Sequence, residues 1–191
     1  MIYFTSDLHL GHPGILKHRL QFAGIEENDN TIINNINSRV NKNDIVYILG
    51  DIANRVEPTI ANAYIRRING KKILIKGNHD IPYDFSLFQE ITDYKEIKID
   101  KRTYVLMHYP LIAWKRMKHG SLQLHGHLHS DSAYNEWNHT IGRLQYDVGV
   151  DANKYMPVSL EEIDRWADTA PWESYKGRDH HLYREGIKND L

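Results

Sequence analysis

Carboxylates, imidazoles and one amide recur in this 191-residue chain at the ends of short apolar runs. YFTS leads into Asp7-Leu8-His9, DIVYILG into Asp51, and KILIKG into Asn78-His79-Asp80, while YVLM leads into His108 and SLQL into His125-Gly126-His127-Leu128-His129. Carboxylate and amide oxygens with imidazole nitrogens are the donor set suited to Mn²⁺, Fe or Zn²⁺. There are more of them than one ion can use. Of the 12 histidines, three fall within His125–His129, a density that folding alone does not require. The chain has no cysteine, so it has no disulfide framework and a metal must be held by nitrogen and oxygen alone.

For these residues to meet, strand ends must deliver them. In open α/β sheets ligands collect beyond the carboxyl ends of buried strands. Residues i and i+2 of a strand point the same way, so Asp7 with His9, and His127 with His129, are expected to converge while their backbone stays extended, with Leu8 and Leu128 turned away. The pattern predicts a strand over Ile2–Thr5, a loop at residues 11–14 and a short helical stretch over residues 15–20. Ile32, Ile33, Ile36 and Val40 have helical spacing, with Asp29 or Asn30 as N-cap. A buried strand follows over residues 44–49. Pro58 then opens a second helix with Ile60, Tyr64, Ile65 and Ile68 on one stripe, closed by Asn69-Gly70, and a strand follows over 73–76.

Strand, helix, strand, helix, strand is the signature of a layered α/β sheet with right-handed crossovers. The second half reads as a hairpin, 96–100 turning at Lys101-Arg102 into 103–107, with further strands near 122–124 and 144–148. Ser159-Leu160-Glu161-Glu162 has the form of a capping box opening a helix to residue 167. Residues 171–191 are polar and are expected to form a loosely held tail. With no repeat, low-complexity tract or linker, the chain reads as one domain over residues 1–191.

Apolar residues make up 41% and charged residues 26%, as in soluble globular proteins, and 24 basic against 25 acidic residues give a net charge of -1. That balance argues against non-specific nucleic-acid binding and against attachment to an anionic membrane. Asp7 interrupts the N-terminal apolar residues and no run is long enough to span a bilayer, so the expected location is the cytoplasm.

The five blocks, in this order, resemble those of the calcineurin-like metallophosphoesterases: Asp7-Leu8-His9, Gly50-Asp51, Gly77-Asn78-His79-Asp80, His108, and Gly126-His127-Leu128-His129. The resemblance covers about two-thirds of the chain. It implies an α/β (α+β) four-layer sandwich, two mixed β-sheets flanked by helices, with a dimetal site at the carboxyl ends of strands. It also implies one metal held by Asp7, His9, Asp51 and His129, and a second held by Asp51, Asn78, His108 and His127, with Asp51 bridging. His79 would be the catalytic general acid rather than a ligand. The cofactors would be two divalent metal ions, Mn first, with Fe, Zn, Ni or Co as alternatives. Two such ions about 3.5–4 Å apart lower the pKa of a shared water and clamp phosphoryl oxygens. The implied activity is hydrolysis of a phosphoester by in-line attack of a metal-bridging hydroxide, with phosphodiesters placed ahead of phosphomonoesters. A catalytically silent scaffold of the same fold is the alternative from another class; it would have lost His79 or ligands, and this chain keeps both.

The expected partner is a small phosphoester, nucleotide-like if aromatic residues near the site stack a base. Candidate substrate contacts are His12, Arg55, Trp114 and Lys115; the segment Lys115–His119, with Trp114 at its edge, is expected to rim the metals and to stack a base while holding phosphate. Tyr134, Trp137 and His139 are read as a loop that closes the pocket or covers the core. His125 fits no ligand position and is read as a packed strand residue. Asn54 stands where the protein phosphatases of the family carry an acidic partner for the catalytic His, which argues against that branch. Asp80 is assigned to His79 or to another group behind the ligands, without a choice between them.

Overall fold

A computed structural model describes residues 1–175. Four parallel strands, β1 (Ile2–Thr5), β2 (Ile45–Ile48), β3 (Lys71–Ile75) and β4 (Glu90–Thr92), form one sheet in the order β4-β3-β2-β1. The two-residue strand β9 (Val158–Ser159) joins its edge antiparallel to β1. The crossovers are α1 (Ile25–Arg39) and α2 (Pro58–Arg67). The second sheet has the order β5-β6-β7-β8, with β5 (Tyr94–Ile99) antiparallel to β6 (Arg102–Met107), and with β7 (Leu122–His125) and β8 (Gln145–Asp147) parallel to β6. Helices α3 (Ser132–Ile141) and α4 (Leu160–Thr169) and the short α5 (Trp172–Tyr175) complete the chain. Two mixed sheets flanked by helices are thus present, as the resemblance implied.

Alternation along the first sheet divides the core in two. Tyr3, Val46, Ile48 and Leu74 face one way and pack with Ile32, Ile33, Ile36 and Val40 of the α1 segment and Ala61, Ile65 and Ile68 of the α2 segment. Phe4, Tyr47, Leu49, Ile73 and Ile75 face the other way and meet Tyr104, Val105, Leu122 and Leu124 of the second sheet, with Ile163 and Ala167 of α4. Because strands β1 to β3 are buried on both faces, they are nearly continuous in apolar residues, as parallel strands must be.

Several expectations need correction. Helix α1 starts at Ile25 with Gly24 as N-cap, not at Asp29 or Asn30. Asp29 lies inside the helix, buried, and its carboxylate accepts the Gly11 N–H at 2.9 Å, so the polar residues 24–30 extend the helix instead of preceding it. Residues 15–20 do not form an α-helix; a 3-10 turn covers Pro13–Lys17. Ile60 is exposed, because Ala61 and Ile65 carry the packed stripe of α2. Tyr134, Trp137 and His139 are on α3 rather than in a loop. Asp131 caps its N-terminus by accepting the Ala133 N–H, and Gly142 ends it at φ 77°, a left-handed conformation that glycine adopts without steric cost. The start of the expected tail is packed, with Trp172 of α5 against the second core; residues 176–191 lie outside the described residues.

Candidate metal centre

The parallel strands β1, β2, β3, β6 and β7 end on the same side of the two sheets, and the five blocks follow them directly. The exits of β1 and β2 run together, with N–H to C=O bonds from Asp7 to Gly50 (3.1 Å), His9 to Asp51 (3.0 Å) and Leu10 to Ile52 (2.9 Å). The backbone there is not extended, contrary to expectation. Asp7 (φ 58°), His9 (50°), Asp51 (56°), His127 (72°) and His129 (49°) are all left-handed. Asp and His tolerate this region better than most residues, but each such position still costs about 1–3 kcal/mol and persists because its surroundings fix it. Each pair therefore converges through an alternation of left-handed ligands with intervening leucines. Leu8 is buried in the core, whereas Leu128 is 41% exposed.

Donor atoms of Asp7, His9 and His129 lie within 4.8 Å of one another, as do those of Asp7, Asp51 and His108. Asp51 Oδ2 stands 3.6 Å from Nε2 of His9 and 3.6 Å from Nε2 of His108, between the two groups. The Nε2 atoms of His9 and His129 face each other at 3.1 Å. Asn78 Oδ1 is 3.0 Å from His108 Nε2. The His127 ring lies 5.1 Å from that of His108, and the His127 N–H donates to Asp7 Oδ2 at 2.9 Å. All seven expected ligands are thus neighbours. His79 is exposed, its N–H donates to Asp51 Oδ1 at 2.9 Å, and its ring lies 5.5 Å from that of His9.

The motif glycines are there because nothing larger fits. A Cβ on Gly126 would sit 2.1 Å from Ser6 Oγ and 2.3 Å from Asp7 Oδ2, and one on Gly77 would sit 2.2 Å from Asp51 Oδ1.

Electrostatics and hydrogen bonding fit a divalent cation. Asp7 Oδ1 is buried without a hydrogen-bond partner, which the interior of a folded protein rarely tolerates. Burial pushes the Asp7 carboxyl up to about 8 and the His9 imidazole down to about 2, and it lowers His127 as well. Neutral imidazoles facing a carboxyl oxygen that lacks a hydrogen bond suit a divalent cation, and binding one would displace the remaining protons. The His108 ring is oriented by a backbone contact. Its Nδ1 donates to the Leu49 carbonyl at 2.7 Å, which leaves the Nε2 lone pair turned to Asp51 and Asn78.

Three residues support the donors from behind: Asp80, Asp151 and Arg19. Asp80 serves the loops rather than His79, accepting the N–H groups of Gly77 (2.8 Å), Asp51 (3.0 Å) and Ile52 (2.9 Å) and the Tyr83 hydroxyl (2.6 Å). Asp151 accepts His129 Nδ1–H at 2.8 Å, and Arg19 binds Asp151. Burial alone would raise the Asp151 carboxyl; hydrogen bonds from His129 and Arg19 outweigh it and hold the group at about 2. The signal for Asp151 was in the sequence, a carboxylate after Gly149-Val150 just past a strand, but it lacked a recognised neighbour.

Of the candidate substrate contacts, His12 is half-buried with its ring 6.2 Å from that of His9, and burial, then Arg55 and His79, lower its pKa. Arg55 is exposed on the exit beyond Asp51. Trp114 must be corrected: it is 8% exposed, its indole N–H donates to the Ser121 carbonyl at 3.1 Å, and Arg143 covers its ring at 5.6 Å, so no face is free for a base. Lys115 is engaged elsewhere, paired with Glu96 at 2.7 Å in an open groove with Ile97, Lys98, Lys101 and Thr103 that contains no ligand residue. Tyr134 and His139 do not close a pocket; they bond Gln145 and Thr169 respectively, and Trp137 is 63% exposed. His125 is fully buried on β7 against the Tyr134 ring.

Comparison with known proteins agrees with this geometry. A family described as calcineurin-like phosphoesterase matches residues 1–181. The Gene 66 protein of Mycobacterium phage L5 is 30% identical over 84% of this chain and 91% of its own length. An uncharacterised protein of Methanocaldococcus jannaschii, MJ1445, is 32% identical over 85% of this chain and 88% of its own. The crystal structure of a protein of unknown function from Aquifex aeolicus, AQ665, superposes with a TM-score of 0.66 at 29% identity, covering 86% of this chain and 98% of that one.

Proposed function

Because this chain belongs to the calcineurin-like phosphoesterase family, we propose that it is a two-metal phosphoesterase acting on phosphodiesters in preference to phosphomonoesters. The observation that carries the two-metal reading is the place of Asp51 Oδ2, 3.6 Å from an imidazole nitrogen on either side. Asp7, His9, Asp51 and His129 would hold one ion and Asp51, Asn78, His108 and His127 the other, with Mn²⁺ ahead of the other first-row cations for a thiolate-free set. When bound, such a pair supplies a water of lowered pKa and neutralises phosphoryl oxygens during in-line displacement.

The chain's own residues do the rest. His79, exposed and fixed by its backbone to Asp51, donates a proton to the departing oxygen as general acid. Arg55 and His12 beside the opening bind phosphoryl oxygens, the guanidinium through its fork. The substrate is compact, and a nucleotide-like group is supported by Tyr109, 39% exposed with its ring 4.6 Å from that of His127, which takes the stacking role that buried Trp114 cannot.

Protein reconstituted with Mn²⁺ is expected to hydrolyse bis-p-nitrophenyl phosphate faster than p-nitrophenyl phosphate, and Asp51→Asn is expected to reduce turnover to background. Faster monoester cleavage would assign a phosphatase instead. Undiminished turnover in Asp51→Asn would exclude the bridged two-metal mechanism.

A further inference from the structure

Arg19 is 0% exposed, although arginine is among the residues least often buried whole. Its guanidinium is fully used. Nε and Nη2 donate to the two carboxylate oxygens of Asp151 at 2.7 and 2.9 Å, Nη2 also to the Asp7 carbonyl at 2.7 Å, and Nη1 to the Leu8 carbonyl at 3.0 Å and Asn28 Oδ1 at 3.2 Å. The same Asp151 Oδ2 accepts His129 Nδ1–H at 2.8 Å. One buried cation therefore grips the left-handed turn that carries Asp7 and, through one carboxylate, the ring of His129, which is 120 residues from His9 in sequence and 3.1 Å from it in space.

Burying an ion pair is costly, and apolar residues of similar volume often serve stability as well. Packing alone therefore does not call for this pair. The other half of the centre is oriented without any charge, His108 Nδ1 resting on the Leu49 carbonyl. The two halves thus use different devices. A carboxylate acceptor raises the basicity of the imidazole it holds and fixes its tautomer, whereas a carbonyl mainly orients it.

We propose that Arg19 and Asp151 are positioning residues for one half of the metal centre, the half formed by Asp7, His9 and His129: Arg19 sets the Asp7-Leu8 turn through its carbonyls, and Asp151 fixes His129 with Nε2 turned to His9. The inference rests on the two-metal reading above. Because the guanidinium fork spans both oxygens of Asp151 and two carbonyls at once, a lysine cannot replace it.

The test is metal titration of the full chain with Mn²⁺ by calorimetry, with Co²⁺ absorption as a second readout. Wild-type protein is expected to bind two equivalents. Asp151→Asn, which is isosteric, is expected to bind one equivalent unchanged and the other about 10–100-fold more weakly, the usual effect of losing a partner behind a ligand. Arg19→Lys is expected to weaken the same equivalent. A wild-type stoichiometry below two would overturn the two-metal reading, and this inference with it. Two equivalents in wild type with both affinities unchanged in Asp151→Asn would overturn the positioning role alone. Should the variants not fold, the wild-type protein loaded with Zn²⁺ still decides: ¹H–¹⁵N spectra of its histidines are expected to show His129 protonated at Nδ1, and a proton at Nε2 would overturn the proposal.

Discussion

At the residue scale, five of the seven expected donors, Asp7, His9, Asp51, His127 and His129, are left-handed, and each hydrogen-bonds to a group on another segment of the site. The strain is local and the compensation is not: Asp80 ties the β3 exit to Asp51, and Arg19 ties the β1 exit to the region after β8. His79 is exposed and reaches Asp51 through its backbone N–H, which leaves its ring free to face a substrate. Substituting His79→Ala is therefore expected to lower turnover by about 10²–10⁴-fold, the usual range for a general acid, while elemental analysis shows metal content unchanged. Loss of bound metal in that variant would make His79 a ligand instead. Residue types announced this chemistry because few other functions place Asp-x-His and His-x-His after apolar runs. They could not announce the backbone, since left-handed conformations at Asp and His leave no mark comparable to glycine.

At the element scale, local signals were legible where one residue fixes a boundary. The capping box at Ser159 is present in full: its hydroxyl accepts the Glu162 N–H and the Glu162 carboxylate takes the Ser159 N–H at 2.8 Å. Ser159 also ends β9, paired with Tyr3 of β1, so the cap fixes the turn from strand to α4. Ser159→Ala is expected to destabilise the protein by about 1 kcal/mol, seen as a lower urea midpoint at unchanged slope. Elements without such a marker are less legible in the sequence. The start of α1 differs from expectation because Asp29 and Asn30 look like capping residues, whereas Asp29 faces inward to hold Gly11, beside Asn28, which holds Arg19. The buried face of α3 carries the polar Asn135 and Asn138, which bond the backbone at Asp147 and Gln145, rather than an apolar stripe that would mark a helix in the sequence.

At the scale of the whole molecule, the centre is where folding and metal binding meet. In metal-free protein the Asp7 carboxyl, pushed up to about 8 by burial, holds its proton far above the ordinary carboxylate value of about 3.9. His129 is raised as well, burial being outweighed by the Asp151 hydrogen bond. The folded form then keeps protons that the unfolded chain has released, so stability falls as pH rises through these folded values. The lowered His9, with an ordinary value of 6.5, acts in the opposite sense only below about pH 7. Thermal melts in chelator are accordingly expected to show a lower Tm at about pH 8 than at about pH 7, with saturating Mn²⁺ removing or reversing the difference, because the cation takes the place of the protons. A metal-free Tm that rises over that interval would contradict the assignment. Among the described residues no helix is long and apolar enough to cross a membrane.

The sequence by itself determined the order of strands and crossovers in the first half, the split of apolar residues between two faces, and the list of oxygen and nitrogen donors. Each of these is written in short-range periodicity or in residue type. Only the tertiary structure decided how the donors meet, through left-handed turns stitched across strand exits, and which side chains stand behind them. Arg19 and Asp151 are 132 residues apart and carry no motif. Their role exists because the end of β1 and the segment after β8 bridge side by side, Ser6 beside Gly149, and that adjacency depends on packing two sheets rather than on any local pattern.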